Sequence, residues 1–197
     1  MKNRILVTAI LLCGALAFAQ QPTAPAQTGA PKAAQPAPTV TSVLDRQISS
    51  VEREIVPAAD AMPEDKYNFA PTQGEFKTVR TFAEQVRHVA TTNYVLAAAI
   101  LGEKSPVPDG ENDNGDPKYK SKAEIVQYLK DSFAYIHKAY GTINEKNLVE
   151  PIKNPFGPGT ATRLGIAVLN QGHNFDHYGQ MVEYLRMNGI IPPASRK

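Results

Sequence analysis

Four stretches of this 197-residue chain repeat apolar residues at intervals of three and four, and proline and glycine break the segments between them. That spacing lays one apolar stripe along each of four helices. No stretch shows the two-residue alternation of a half-buried strand. There is no internal repeat and no glycine pattern of a phosphate-binding or dinucleotide-binding loop. Four amphipathic helices bury their stripes only against one another. The expected fold is therefore all-α, a four-helix bundle of the up-down type with long connectors.

The first helix is expected from about Ser42 to Ala61, with Leu44, Ile48, Val51, Ile55 and Ala59 on its buried face. Ser42, followed by Asp45, reads as its cap, and Pro57 should kink or shorten its last turns. Tyr67 and Phe69 in the next connector read as lids over the core. The second helix is expected to begin near Thr72 or Gly74 and to run to Leu101, with Phe76, Val79, Phe82, Val86, Val89, Asn93, Leu96 and Ile100 on one stripe, and to stop at Gly102. Glu103 to Lys118 reads as a loop whose acidic cluster, Asp109 to Asp116, is solvated. It fails the calcium-loop pattern, because Asn114 stands where that loop needs glycine and Lys120 where it needs glutamate. Ser121 and Glu124 form a capping box for the third helix, which carries Ile125, Tyr128, Leu129, Phe133, Ile136 and Tyr140 and closes at Gly141. The fourth helix runs from about Thr160 to the Gly189 and Pro192-Pro193 stop.

The N-terminus reads differently. Lys2 and Arg4 precede an apolar run from Ile5 to Ala17, and Ala17-Phe18-Ala19 fits a small-residue cleavage site. Residues 1–19 are therefore expected to be a cleaved signal peptide directing the protein to a periplasmic or secreted location, too short for stable membrane insertion. Leu12 is a poor neighbour for a lipidated Cys13. Residues 20–40, rich in proline, alanine, glutamine and threonine, read as a disordered linker. Residues 41–197 remain as the folded domain. Of the 21 basic residues two lie in the signal segment, which leaves 19 against 19 acidic ones. That balance gives no electrostatic footing for nucleic acid. The chain's one cysteine is Cys13, so the mature protein has no nucleophilic thiol of its own.

Two of the four histidines stand four residues apart in the fourth helix, His173 and His177, and so share a face. His88 lies beside the buried stripe of the second helix. In a bundle these three neutral nitrogens can meet between helices and leave a position open for water or a ligand, the pattern of a catalytic rather than a structural metal site. Gln180 shares the face of the pair and is a candidate to orient one of them. Asp176 is rotated away by about 100°. His137 reads as a core-edge or surface residue, Tyr184 as a packing residue, and Arg186 as a partner of its helix C-terminus.

From Leu44 to Pro193 the sequence resembles the DinB-like (DinB/YfiT) superfamily of four-helix metal-binding proteins. The resemblance rests on Phe69-Ala70-Pro71, on Phe76 to Arg80 leading through Phe82 to His88-Val89-Ala90, and above all on His173-Asn174-Phe175-Asp176-His177-Tyr178-Gly179-Gln180, continued by Tyr184-Leu185-Arg186-Met187-Asn188-Gly189 and Pro192-Pro193. It implies a metal triad of His88, His173 and His177 holding a divalent transition metal such as Zn, Ni, Fe or Mn.

For activity the resemblance implies a thiol transferase using a low-molecular-weight thiol such as bacillithiol or mycothiol, whose pKa the metal lowers, or a relative of the thiol-dependent maleylpyruvate isomerase. Metal-assisted hydrolysis of a small-molecule substrate is the second reaction such a site allows. A non-enzymatic exported metal-binding or structural module is the alternative class. No general base is assigned by the sequence. Association into a homodimer is an expectation for bundles of this kind, fixed by no residue.

Overall fold

The computed structural model describes residues 36–107 and 113–197. The signal-peptide reading, residues 20–35 of the linker and residues 108–112 of the acidic loop lie outside the described residues. Ala37–Lys197 forms one compact unit. Its four long helices are α1 (Val40–Ala61), α2 (Phe82–Leu101), α3 (Lys122–Tyr140) and α4 (Arg163–Met187). Each of α1 and α2 packs against both α3 and α4. The 62–81 and 141–162 connectors therefore cross the bundle diagonally, which is why they are long. No helix among the described residues is long and apolar enough to cross a membrane.

The helix starts follow from side-chain capping. Thr39 caps α1 and Ser42, expected as the cap, instead sits at the third position and completes the box. Thr39, three residues before Ser42, wins because both orphan donors are then satisfied. Pro57 does not end α1, which continues to Ala61. Ser121 and Glu124 cap α3 as expected.

The second helix departs from its expected start by eight residues or more. Gly74 and Thr78 have φ of 104° and 73°, values a right-handed helix does not admit. Phe76 and Val79, expected on the buried stripe, are exposed. The helix begins at Phe82, where Thr81 and Glu84 form a capping box. The connector supplies the remaining partners. The N–H groups of Phe82 and Ala83 donate to the carbonyls of Phe69 and Tyr67 at 2.9 and 2.8 Å. Tyr67 is buried, donates its hydroxyl to the Ala59 carbonyl at 2.8 Å and meets Phe82 edge-on. Phe69 packs on Tyr184 in the same way. Both aromatics thus cover the core as expected, and they also anchor the start of α2.

The sequence shows no strand alternation, yet the structure contains one short strand pair among the described residues. This antiparallel pair, β1 (Pro151–Lys153) and β2 (Thr160–Thr162), precedes α4, with Ile152 opposite Ala161. Three-residue strands are too short to carry a period-two signal. Their turn holds Phe156 out from the bundle.

Asn93, counted with the apolar stripe, is fully buried at the centre of a polar network. Its side-chain oxygen accepts from Asn170 and Asn174 at 2.7 and 2.9 Å, and its amide donates to Ser132 at 3.1 Å. The network joins α2, α3 and α4 just below the histidine pair, and so sets the height of α4 against α2. Buried amides are tolerated where they are paired, as most of these groups are; the Asn174 side-chain oxygen has no partner in the protein.

Candidate metal centre

His88 of α2 and His173 and His177 of α4 come together at the floor of a cleft, with one ligand atom of each within 4.8 Å of the others. The Nε2 atoms of His88 and His173 are 2.9 Å apart. The three rings contact one another with centroids 4.4 to 4.9 Å apart. Two of the rings have their tautomer set by a neighbour. His88 Nδ1 lies 2.6 Å from the main-chain oxygen of Asp113. A carbonyl only accepts, so Nδ1 carries the proton and Nε2 keeps its lone pair.

For His177 the decision passes along a chain of side chains. The Asp176 carboxylate accepts from Gln180 Nε2 at 2.9 Å. Gln180 therefore turns its oxygen to Gln85 Nε2, at 2.7 Å. Gln85 in turn faces its own oxygen to His177 Nδ1, also at 2.7 Å. A carboxylate at one end makes His177 Nδ1 the donor at the other and leaves Nε2 with the lone pair.

All three histidines are held neutral. Burial is the first cause in each case. It pushes His173 down to about 3, aided by His177 and His88, and His177 down to about 4, aided by His88 and Arg80. His88 is lowered as well, by burial and then by Arg80, against the raising effect of Asp113. Neutral imidazoles with lone pairs turned to one point, as set here for His88 and His177, are the donors a divalent transition metal requires. His173 Nε2 faces the His88 lone pair, so its proton lies between the two rings; with an ion on Nε2 that proton would move to Nδ1, which is buried and has no hydrogen-bond partner in the protein.

A sequence profile described as the DinB superfamily matches residues 47–181. The chain belongs to the DinB superfamily. Two crystal structures share its fold. A conserved protein from Enterococcus faecalis is 18% identical, covering 77% of this chain and 98% of its own, with a TM-score of 0.60. A DinB-like protein (YjoA) from Bacillus subtilis is 22% identical over 75% of this chain and 92% of its own, with a TM-score of 0.55. No curated protein matches the chain.

In this DinB-superfamily chain the acidic loop is not simply solvated. Residues 113–116 form a strap across α2 beside His88. Asp113 binds His88 through its carbonyl and pairs with Arg80 through its carboxylate. The Asp116 N–H donates to Thr91 at 3.3 Å, and Thr91 is bonded to Tyr128 of α3. Gly115, at φ 79°, lies so close to α2 that a Cβ would stand 2.4 Å from the Arg87 carbonyl carbon. Only glycine allows the strap to lie this close.

Other residues fall as follows. Gln180 does act on the pair, but at one remove, through Gln85. Asp176 is exposed, and it terminates that chain. Sequence reasoning missed Gln85, Asp113 and Arg80 as parts of the site. Gln85 lies three residues before His88 and is buried, so its signal was a buried amide on the histidine's own helix. Tyr184 packs, and its hydroxyl donates to the Arg80 carbonyl at 2.9 Å. Arg186 stays outside the cleft and donates to Ser195 at 3.3 Å. His137 lies on the α1–α3 seam between Asp45 and Glu52.

Proposed function

We propose that this protein is a divalent-metal-dependent enzyme of the DinB superfamily, exported through residues 1–19, which transfers a thiol to, or hydrolyses, a small molecule in the cleft above His88, His173 and His177. The observation that carries the reading is the histidine cluster itself: three neutral imidazoles from two helices, two of them with tautomers set so that Nε2 faces a common point. Those residues would hold a Zn, Ni, Fe or Mn ion. Bound there, the ion supplies Lewis acidity, which lowers the pKa of water or a thiol and polarises a carbonyl.

The protein's own groups do the rest. Asp113 and the Gln85–Gln180–Asp176 chain keep two rings in the ligating tautomer. The cleft, about 370 Å³, is open to solvent and lined in part by Leu96, Leu169 and Phe156, which gives a small molecule an apolar wall beside the histidines. With its one cysteine in the signal segment, the mature chain offers no nucleophilic sulfur. In the two reactions proposed, the attacking group is water or a bound small thiol.

The test is elemental analysis and titration of the mature protein. One divalent ion per chain is expected, and it is lost when His88, His173 or His177 is replaced by alanine. Metal-dependent ester hydrolysis and transfer of a small thiol to a chromogenic electrophile, assayed side by side, separate the two reactions. Absence of stoichiometric metal after growth and titration with all four ions would sink the proposal. Metal bound with neither reaction accelerated leaves a non-enzymatic metal-binding module.

A further inference from the structure

The cleft over the histidines contains groups that holding a metal does not use. Arg80 is the basic residue of its lining, and Leu96, Leu169 and Phe156 are the large apolar ones. Phe156 and Leu169 are 59% and 47% exposed although apolar. Both stand at the opening, Phe156 on the β1–β2 turn and Leu169 on α4, where a ligand would cover them.

Arg80 is built in more firmly than a surface arginine. Its carbonyl is held by the Tyr184 hydroxyl, and the next residue is the α2 cap, Thr81. Its side chain is 21% exposed, and its guanidinium is near enough to the cluster to depress all three histidines. Its present partner is the weaker half of the pair. Asp113 takes the Nε proton on its main-chain oxygen at 3.2 Å and an Nη proton on its carboxylate, but the Asp113 side chain is 82% exposed. An ion pair with one partner in water contributes little and is readily exchanged.

Three neutral histidines, one guanidinium and one exposed carboxylate leave the cleft without surplus negative charge, and a divalent ion would make it strongly positive. An entering anion is therefore favoured. A carboxylate matches the planar fork of one guanidinium. A volume of about 370 Å³ holds about a dozen non-hydrogen atoms at the ~30 Å³ of liquid water per heavy atom.

We propose that the cleft binds a small carboxylic acid with an apolar body, its carboxylate on Arg80 in place of the Asp113 carboxylate and its body against Leu96, Leu169 and Phe156. This names the substrate class of the site and rests on the proposed function for its chemistry, whereas the recognition step needs no metal.

The experiment is calorimetric titration of the mature protein, stripped of metal, with 3-phenylpropanoate and with its neutral amide. The acid is expected to bind at least about tenfold more tightly than the amide. Arg80→Gln should abolish that preference, Arg80→Lys should keep part of it, and Asp113→Asn, which retains the carbonyl that holds His88, should tighten the acid several-fold. Circular dichroism checks that each variant is folded, and the Asp113→Asn arm stands even if Arg80→Gln is not.

Equal binding of acid and amide, a preference that survives Arg80→Gln, or no change with Asp113→Asn would overturn the proposal. A parallel zinc titration keeps the two readings apart. Failure of the wild type to take up zinc removes the metal, not the carboxylate site. A preference that appears only with zinc and persists in Arg80→Gln places the carboxylate on the ion and overturns the inference.

Discussion

Asp176 and His177 are adjacent in sequence, but they are connected in the structure through two glutamines on different helices. The carboxylate orients Gln180, Gln180 orients Gln85, and Gln85 holds the Nδ1 proton of His177. Gln85→Leu, of similar volume, removes the acceptor and frees the ring. Partners of this kind are worth about 10–100-fold in metal affinity. Zinc affinity of Gln85→Leu should fall by that factor. Asp176→Asn should lose less, since an amide can still turn its oxygen toward Gln180. Competition titration with a chelator reads both, and unchanged affinity in Gln85→Leu would show that the chain has no role in ligation.

Gly115 should be irreplaceable where other glycines are not. A Cβ there would overlap the Arg87 backbone, and φ is already 79°. Gly115→Ala is expected to cost about 1–3 kcal/mol and to weaken zinc binding, because the strap that carries the Asp113 carbonyl must lift from His88. Gly179→Ala on α4 meets nothing within 4 Å and should instead stabilise by about 1 kcal/mol through helix propensity. Chemical denaturation of both variants checks the contrast. Equal effects would disprove it.

His137 makes stability depend on pH. Burial alone would lower its pKa, but the hydrogen bonds to Asp45 and Glu52 at 2.6 and 3.0 Å, with their charges, outweigh that and raise it above the ordinary histidine value. A raised folded-state pKa means that the clasp between α1 and α3 stabilises fully below the unfolded value of about 6.5. The contribution is lost as pH rises through the higher folded-state value. The difference in urea midpoint between wild type and His137→Gln should therefore be largest near pH 6 and vanish well above the raised pKa. A difference that grows with pH would contradict the assignment.

Asn93 serves three neighbours at once. Asn93→Ala leaves the amides of Asn170 and Asn174 without that acceptor and the Ser132 hydroxyl without its donor, all fully buried. Unpaired buried groups cost about 1–3 kcal/mol each, in part shared. A loss of about 2–4 kcal/mol in urea unfolding is expected. Asn93→Asp keeps the acceptor but loses the donor to Ser132 and buries a charge, so it should not rescue. Near-neutral behaviour of Asn93→Ala would mean that water enters the network.

How much of this was legible beforehand differs by residue. The helical stripes read clearly because a 3.6-residue period survives in sequence wherever a face is buried. The start of α2 did not. Phe76 and Val79 continue the period of the helix that follows, and the left-handed turns at Gly74 and Thr78 leave little trace in residue type. His173 and His177 were readable as a pair because one helix positions both. Gln85 and Asp113 were not, since a glutamine and a loop aspartate carry no periodic signal and acquire their role only from what stands opposite.

The sequence by itself determined an all-α bundle and the pairing of His173 with His177, because local spacing places residues on a helical face whatever the helix packs against; His88 joined them there only through the family resemblance. Only the tertiary structure decided that α2 and α4 face each other at a height that joins His88 to the pair. It alone decided that the 113–116 strap lies against α2, and which nitrogen of His88 and of His177 carries the proton. Those depend on tertiary contacts between residues some 25 to 92 positions apart, and distance of that order along the chain leaves no local pattern to read.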